Sequence, residues 1–281
     1  MNDDVVDRGR RRLFRIGGAA LVAALLPKLV AAQPAPDKLK IGIIGAGHIG
    51  STIGGFWVKA GHPVMFSSRH PEELQKLTDT LGPLAKAGTV EEALAFGDAI
   101  LLAVPYKAIP QIAKDYAPKF AGKVVLDADN AVAARDGEDL VKETKEKGIG
   151  NTTAAYFPGA YVVRAFNSMG VGFFIKESHR AGDPMAIPIA GDDPHAIAVA
   201  TQLVRDAGFE AVAVPLARAQ EFAQGGPIYG QQLTVKELRQ RSAWRNDGDT
   251  GPGLTDLGKE LIGACNRLSS PSIGYQGLWP P

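Results

Sequence analysis

Apolar residues in this chain fall into short unbroken runs separated by longer stretches of helical spacing. That is the pattern of strands buried on both faces alternating with helices. The first run, Ile41-Gly42-Ile43-Ile44, breaks into Gly45-Ala46-Gly47-His48-Ile49-Gly50 and leads to a helix-like segment over residues 51–60. A turn at Gly61-His62-Pro63 precedes a short buried strand, Val64-Met65-Phe66. Thr89 is placed to cap a helix that begins at Val90, and residues 99–104 form a wholly apolar strand. Residues 123–126 make a further strand, closed by Asp127-Ala128-Asp129-Asn130. Beyond the run that starts at Tyr161, the spacing predicts a helix over residues 194–207 and a strand over 210–214.

The glycines after the first run give this pattern a chemical meaning. A phosphate reaches the first turn of a helix only where backbone N–H groups are free and no Cβ blocks the approach. Gly45 suits the tight turn, Gly47 the close approach of a pyrophosphate, and Gly50 the packing of helix on strand. The bare glycine spacing is a weak signal, but here it follows an apolar strand and opens a helix, the context a dinucleotide fingerprint requires. The expected fold is α/β, with a doubly wound parallel Rossmann sheet over residues 40–168.

The second strand ends in Ser67-Ser68-Arg69-His70, where NAD-binding relatives of this fold place an Asp or Glu on the ribose 2′-hydroxyl. A carboxylate there would repel a 2′-phosphate, whereas a guanidinium meets it with paired charge-assisted hydrogen bonds. The expected cofactor is therefore NADP(H), and the same serines also suit a cap on the following helix, whose first turn carries Glu72 and Glu73. The apolar run over residues 99–104 ends at Val104-Pro105, over the nicotinamide half of the cofactor, with Tyr106 and Lys107 as neighbours or as packing. Asn130 suits either the nicotinamide carboxamide or a polar turn.

A formal net charge of +1 in 281 residues gives no electrostatic case for nucleic acid. The single cysteine, Cys265, and five histidines without close ligand spacing offer no metal site. The amino-terminal segment differs in kind. Arg11-Arg12-Leu13-Phe14 precedes an apolar run over residues 16–26 and the small residues Val30-Ala31-Ala32. It reads as a twin-arginine-like signal peptide over residues 1–32, cut before Gln33, and implies a periplasmic or otherwise exported protein. The run is far short of the roughly 20 apolar residues of a membrane span. Pro34 and Pro36 mark a linker over residues 33–39. Residues 225–281 are a Gly/Pro-rich tail with one helix expected over 254–265, the rest reading as an arm that wraps a partner subunit in a homodimer or covers the cleft.

Taken jointly, GIIGAGHIG, the Ser67-Ser68-Arg69 triplet, Val104-Pro105, Asp127-Ala128-Asp129-Asn130, the run Val162-Val163-Arg164-Ala165-Phe166-Asn167 and Pro188-Ile189-Ala190-Gly191-Asp192-Asp193 resemble the NADPH-dependent reductases of the deazaflavin coenzyme F-420. The resemblance spans residues 40–220 and extends to the cytoplasmic domain of STEAP-type metalloreductases. It implies a Rossmann sheet extended by a small C-terminal α/β lobe over residues 169–224. It also implies that Gly45, Gly47, His48, Ile49 and Gly50 hold the pyrophosphate, Ser67, Ser68 and Arg69 the 2′-phosphate, and Val104 and Pro105 the nicotinamide side. Phe166, Asn167 and Met169 would face a small redox acceptor, a flavin or deazaflavin. A ferric chelate or quinone is an alternative acceptor, and an exported NADP-binding protein without turnover is the alternative from another class. Hydride transfer between rings needs alignment more than a proton donor, so no catalytic acid or base is demanded.

Overall fold

The computed structural model describes residues 38–244. The expected signal over residues 1–32, the linker up to residue 37, and the expected helix at 254–265 lie outside the described residues.

Eight strands form one sheet: β1 (Ile41–Ile44), β2 (Val64–Ser67), β3 (Ala85–Gly88), β4 (Ala99–Leu102), β5 (Val124–Asp127), β6 (Tyr161–Arg164), β7 (Ala186–Ala190) and β8 (Glu210–Val214). Their order across the sheet is β3-β2-β1-β4-β5-β6-β7-β8. All neighbours run parallel except β6 and β7, which meet antiparallel at Arg164 and Ala190. Strand order reverses between β1 and β4, and a crevice opens at such a switch point, outside the carboxyl ends of the strands.

Ten helices among the described residues connect and cover the sheet: α1 (His48–Lys59), α2 (Gln75–Leu81), α3 (Val90–Phe96), α4 (Ile109–Phe120), α5 (Ala133–Asp136), α6 (Glu138–Lys147), α7 (Ile149–Tyr156), α8 (Val171–Glu177), α9 (Pro194–Asp206) and α10 (Val235–Trp244). Each strand's period of two divides its side chains between two cores. Ile43, Phe66, Leu101, Leu126 and Val163 face one core with Trp57 of α1 and Leu203 of α9. Ile44, Leu102, Val125 and Val162 face the other, with Phe120 and Phe157. Burial on both sides explains why these strands read as continuous apolar runs.

Thr89 caps α3 as expected, in a reciprocal pair with Glu92 that satisfies two backbone donors. Two elements depart from the sequence pattern. β3 is a four-residue strand, Ala-Lys-Ala-Gly, at the sheet edge, where pairing with β2 alone suffices and no apolar alternation marks it. The beginning of the tail, expected as loop, folds into α10. Thr234 and Glu237 cap it by exchanging hydrogen bonds, and its own Leu238 is buried. The backbone of Leu233 accepts from Ala186 of β7, which ties this segment to the sheet.

The C-terminal segment extends the main sheet rather than standing apart. β7 and β8 continue it, and α9 shares a core with α1. The fully buried Trp57 joins the two helices, its indole N–H donating to the Leu203 carbonyl at 2.7 Å and its ring meeting Phe166 edge-on at 5.8 Å. Trp57→Ala should lower the unfolding free energy by about 3–5 kcal/mol, read from urea denaturation, because it opens a large cavity in the fully buried core between α1 and α9.

Candidate dinucleotide site

The turn from β1 into α1 is built by two close backbone approaches. Gly45 has φ +98°, a conformation that L side chains rarely adopt, and a Cβ there would stand 2.3 Å from the Ala103 carbonyl oxygen. A Cβ on Gly50 would stand 2.0 Å from the Gly45 carbonyl oxygen. Helix and strand therefore touch with nothing between them. At Gly47, the residue that precedes α1, a Cβ would meet nothing within 4 Å. That open space lies over the start of the helix, which has no side-chain cap and no acidic residue in its first turn. An anion is suited to such an end, where helix N–H groups lack partners and the helix dipole is positive. His48 is exposed at the first helical position, and Ile49 is half-buried behind it.

The three residues expected at the 2′-phosphate separate in role. Ser67 is wholly buried: its hydroxyl donates to the Ile43 carbonyl at 2.7 Å, and its own carbonyl accepts from the backbone of Gly45 and Ala46. It fastens β2 to the glycine turn, which corrects its assignment to the phosphate. The hydroxyl of Ser68 accepts from the backbone N–H of His70 at 3.1 Å. Arg69 is exposed at the end of β2 and has no hydrogen bond or ion pair among the described residues. Of the three, Arg69 has a guanidinium free for a ligand.

On the other side of the crevice, Val104 and Pro105 follow β4, half-buried and exposed respectively. Tyr106 turns inward, wholly buried, and its hydroxyl lies 3.0 Å from the Thr153 hydroxyl, so it packs the core. Burial and the charge of Asp127 raise its phenol above the ordinary range. The side chain of Asn130 is engaged, its amide donating to the Asn167 carbonyl at 2.7 Å and its oxygen accepting from the Gln224 backbone at 3.2 Å. It joins the ends of β5 and β6 to the C-terminal segment, and the helix that follows, α5, is preceded by Val132 and has no side-chain cap.

The three residues expected to face an acceptor are enclosed. Phe166, 0% exposed, sits in a cluster of edge-on aromatic contacts with Trp57, Phe174 and Phe209. Met169 belongs to the same core. Asn167 is buried, with its side-chain oxygen unpartnered. The expectation for Phe166 and Met169 is therefore corrected: an apolar run that ends a strand is packed by the helix above it before any ligand can reach it.

Pattern reading missed the charged group beneath this floor. Asp127 and Arg164, both 0% exposed, end β5 and β6 side by side and form a buried ion pair. Arg164 also donates to the backbone carbonyl of Asp129. Asp129, 4% exposed, accepts the Val104 backbone N–H on Oδ1 at 2.7 Å, while its Oδ2 has no partner. Burial first, then the charge of Asp127, holds the Asp129 carboxyl well above the usual carboxylate range. A sequence signal existed: an arginine inside the apolar run Val162-Val163-Arg164-Ala165-Phe166 must find a buried anion.

Residues 40–131 match the family model described as NADP oxidoreductase, coenzyme F420-dependent. The metalloreductase STEAP3 of Rattus norvegicus is 27% identical over 180 residues, 63% of this chain and 34% of that protein, so the chain spans about a third of that relative's length. A hypothetical protein of Sinorhizobium meliloti is 28% identical with a TM-score of 0.62, over 70% of this chain and 95% of that one. A putative F420-dependent NADP reductase from Arthrobacter sp. FB24, 22% identical with a TM-score of 0.55 over 64% of this chain and 87% of its own, shares the fold. The fold is that of a Rossmann domain, and over residues 40–131 the chain is similar to NADP-dependent oxidoreductases.

The raised Asp129 carboxyl makes a stability prediction with a definite sign. As pH rises above the ordinary carboxylate range the unfolded chain loses this proton while the folded one keeps it, so the residue increasingly favours unfolding. Asp129→Asn removes that effect. Its gain in melting temperature over the parent should grow from about pH 4 to about pH 7. A gain independent of pH would show that Asp129 is ionised in the fold.

Proposed function

We propose that this protein is an NADP-dependent oxidoreductase that passes hydride between the nicotinamide and a small flavin-like acceptor, deazaflavin or flavin. The observation that carries the reading is the open cradle at Gly47 at the head of an uncapped helix, with the unpaired Arg69 at the neighbouring strand end. When bound, NADPH supplies the hydride. The chain's own residues then bind and orient: the first turn of α1 takes the pyrophosphate, Arg69 takes the 2′-phosphate, and the turn at Val104-Pro105 supports the nicotinamide half. Asp129 fixes that turn through its hydrogen bond to Val104.

The twin-arginine-like signal supports a further part of the proposal, that the protein is exported already folded and loaded with its nucleotide. A second reading, an exported NADP-binding protein without turnover, is favoured by one observation: Phe166 and Met169 present no face to an acceptor. Flavin, deazaflavin, ferric chelate and quinone offered to the NADPH-loaded protein separate the two readings. Oxidation of the bound nucleotide by any of them supports the enzyme, and a nucleotide that stays reduced with all four supports the binder.

Two variants test the nucleotide site. Because a Cβ at position 47 meets no protein atom, Gly47→Ala should leave the melting temperature within about 2 °C of the parent while weakening NADPH and NADH binding about tenfold or more. Arg69→Ala should weaken NADPH by about ten- to a hundredfold, the equivalent of about 1.5–3 kcal/mol for a charge-assisted pair, with NADH unchanged. Fluorescence titration of the reduced nucleotides reads both. Equal loss of NADPH and NADH in Arg69→Ala would overturn the 2′-phosphate assignment.

A further inference from the structure

The buried charges at the ends of β5 and β6 do not balance. Two carboxylates, Asp127 and Asp129, share one enclosed guanidinium, and Arg164 directs its side chain to the Asp127 carboxylate and to the Asp129 backbone rather than to the Asp129 carboxylate. Asp129 Oδ1 is taken up by Val104 N–H, whereas Oδ2 is buried with neither donor nor acceptor. A second bare carboxylate in this enclosure would be an uncompensated charge, which is costly in a low-dielectric site. The other groups that bear on it are few. Arg135 of α5 acts at a distance and is itself paired with Asp136, while Tyr106 bears on Asp127.

Place matters as much as charge. The backbone of Val104 lies at the end of β4, across the crevice from the glycine turn on β1. If the pyrophosphate sits on α1 and the 2′-phosphate at Arg69 over β2, the remaining half of the dinucleotide extends over β4 and β5, where Asp129 lies beneath the floor. The oxidised nicotinamide ring carries a positive charge and the reduced ring carries none. A nearby positive charge favours the ionised form of a carboxyl group.

We propose that Asp129 is a redox-linked proton site, which holds a proton beside reduced nicotinamide and releases it when the oxidised ring occupies the same place. On release the O–H bond at Oδ2 breaks, its electron pair stays on the oxygen, and the proton passes to solvent. No electrons are transferred in this step. A bound nicotinamide cation together with Arg164 would then offset the two carboxylates. This inference rests on the NADP reading of the site and deepens it. It makes the protein distinguish the two redox states of its cofactor by charge, and through Asp129 that preference depends on pH.

Titration calorimetry of the full chain with NADP+ and with NADPH, each in two buffers of different ionisation enthalpy at the same pH, counts the protons exchanged on binding. The 2′-phosphate is common to both nucleotides, so its own titration cancels in the difference. We expect NADP+ to release up to about one proton more per site than NADPH, and its relative affinity to rise up to about tenfold per pH unit while Asp129 stays protonated. In Asp129→Asn the two counts become equal. Equal counts in the parent protein overturn the proposal, with no need of the variant, and so does a difference that persists in Asp129→Asn. Failure of either nucleotide to bind would instead overturn the NADP reading on which the proposal stands.

Discussion

A helix can be drawn down onto the end of a strand only where no side chain intervenes, and here that contact is the backbone of Gly50 against the carbonyl of Gly45. The site depends on it. The contact brings the start of α1 to the crevice edge, and the positive φ of Gly45 turns the chain sharply enough to reach it. Ser67 then locks the arrangement from the neighbouring strand, donating to β1 and accepting from the turn. A residue that looks like a ligand group thus serves as a brace, and the proposed anion-binding role falls to backbone donors and to Arg69, which has no partner among the described residues.

The floor under the other half of the crevice is made differently. It is held by the ion pair of Asp127 and Arg164 and by the hydrogen bond from Val104 to Asp129, all withdrawn from water. Buried ion pairs seldom add net stability, because desolvation offsets much of the attraction, but losing one partner typically costs about 3–5 kcal/mol. Such a pair is better understood as a constraint on geometry. It fixes the ends of β5 and β6 relative to each other, at the point where the next strand joins antiparallel. The residues of the proposed nucleotide site and those that hold the strand ends beside it are therefore distinct sets in this fold.

The C-terminal part follows from the same packing. Phe166 meets Trp57, Phe174 and Phe209, so α1, α8 and the turn after α9 share one aromatic cluster within the core that α9 also packs, and the continued strands β7 and β8 need no separate one. This enclosure takes Phe166 and Met169 away from the crevice. The polar ends left over, on Asn167, Ser168 and Gln220, are buried without protein partners in the same part of the molecule.

The sequence by itself determined the interior strands of the sheet and its dinucleotide turn, because strands buried on both faces must be continuous apolar runs and a close backbone approach must be glycine. It also determined the cap of α3, a local exchange between residues three apart. It held the cap of α10 as well, in Thr234 and Glu237, although the surrounding glycines and prolines obscured it. Tertiary structure alone decided which polar residues are free and which are used. Ser67 and Arg69 are equally plausible ligands in sequence, and only the register of β2 against β1 turns one inward and leaves the other exposed. Asp129 reads as a turn residue until Arg164, distant in sequence, is seen paired with Asp127 beside it. The physical reason is common to these cases: backbone conformation and burial pattern are properties of neighbouring residues, whereas the charge and hydrogen-bonding state of a side chain depends on partners that only the assembled sheet brings near.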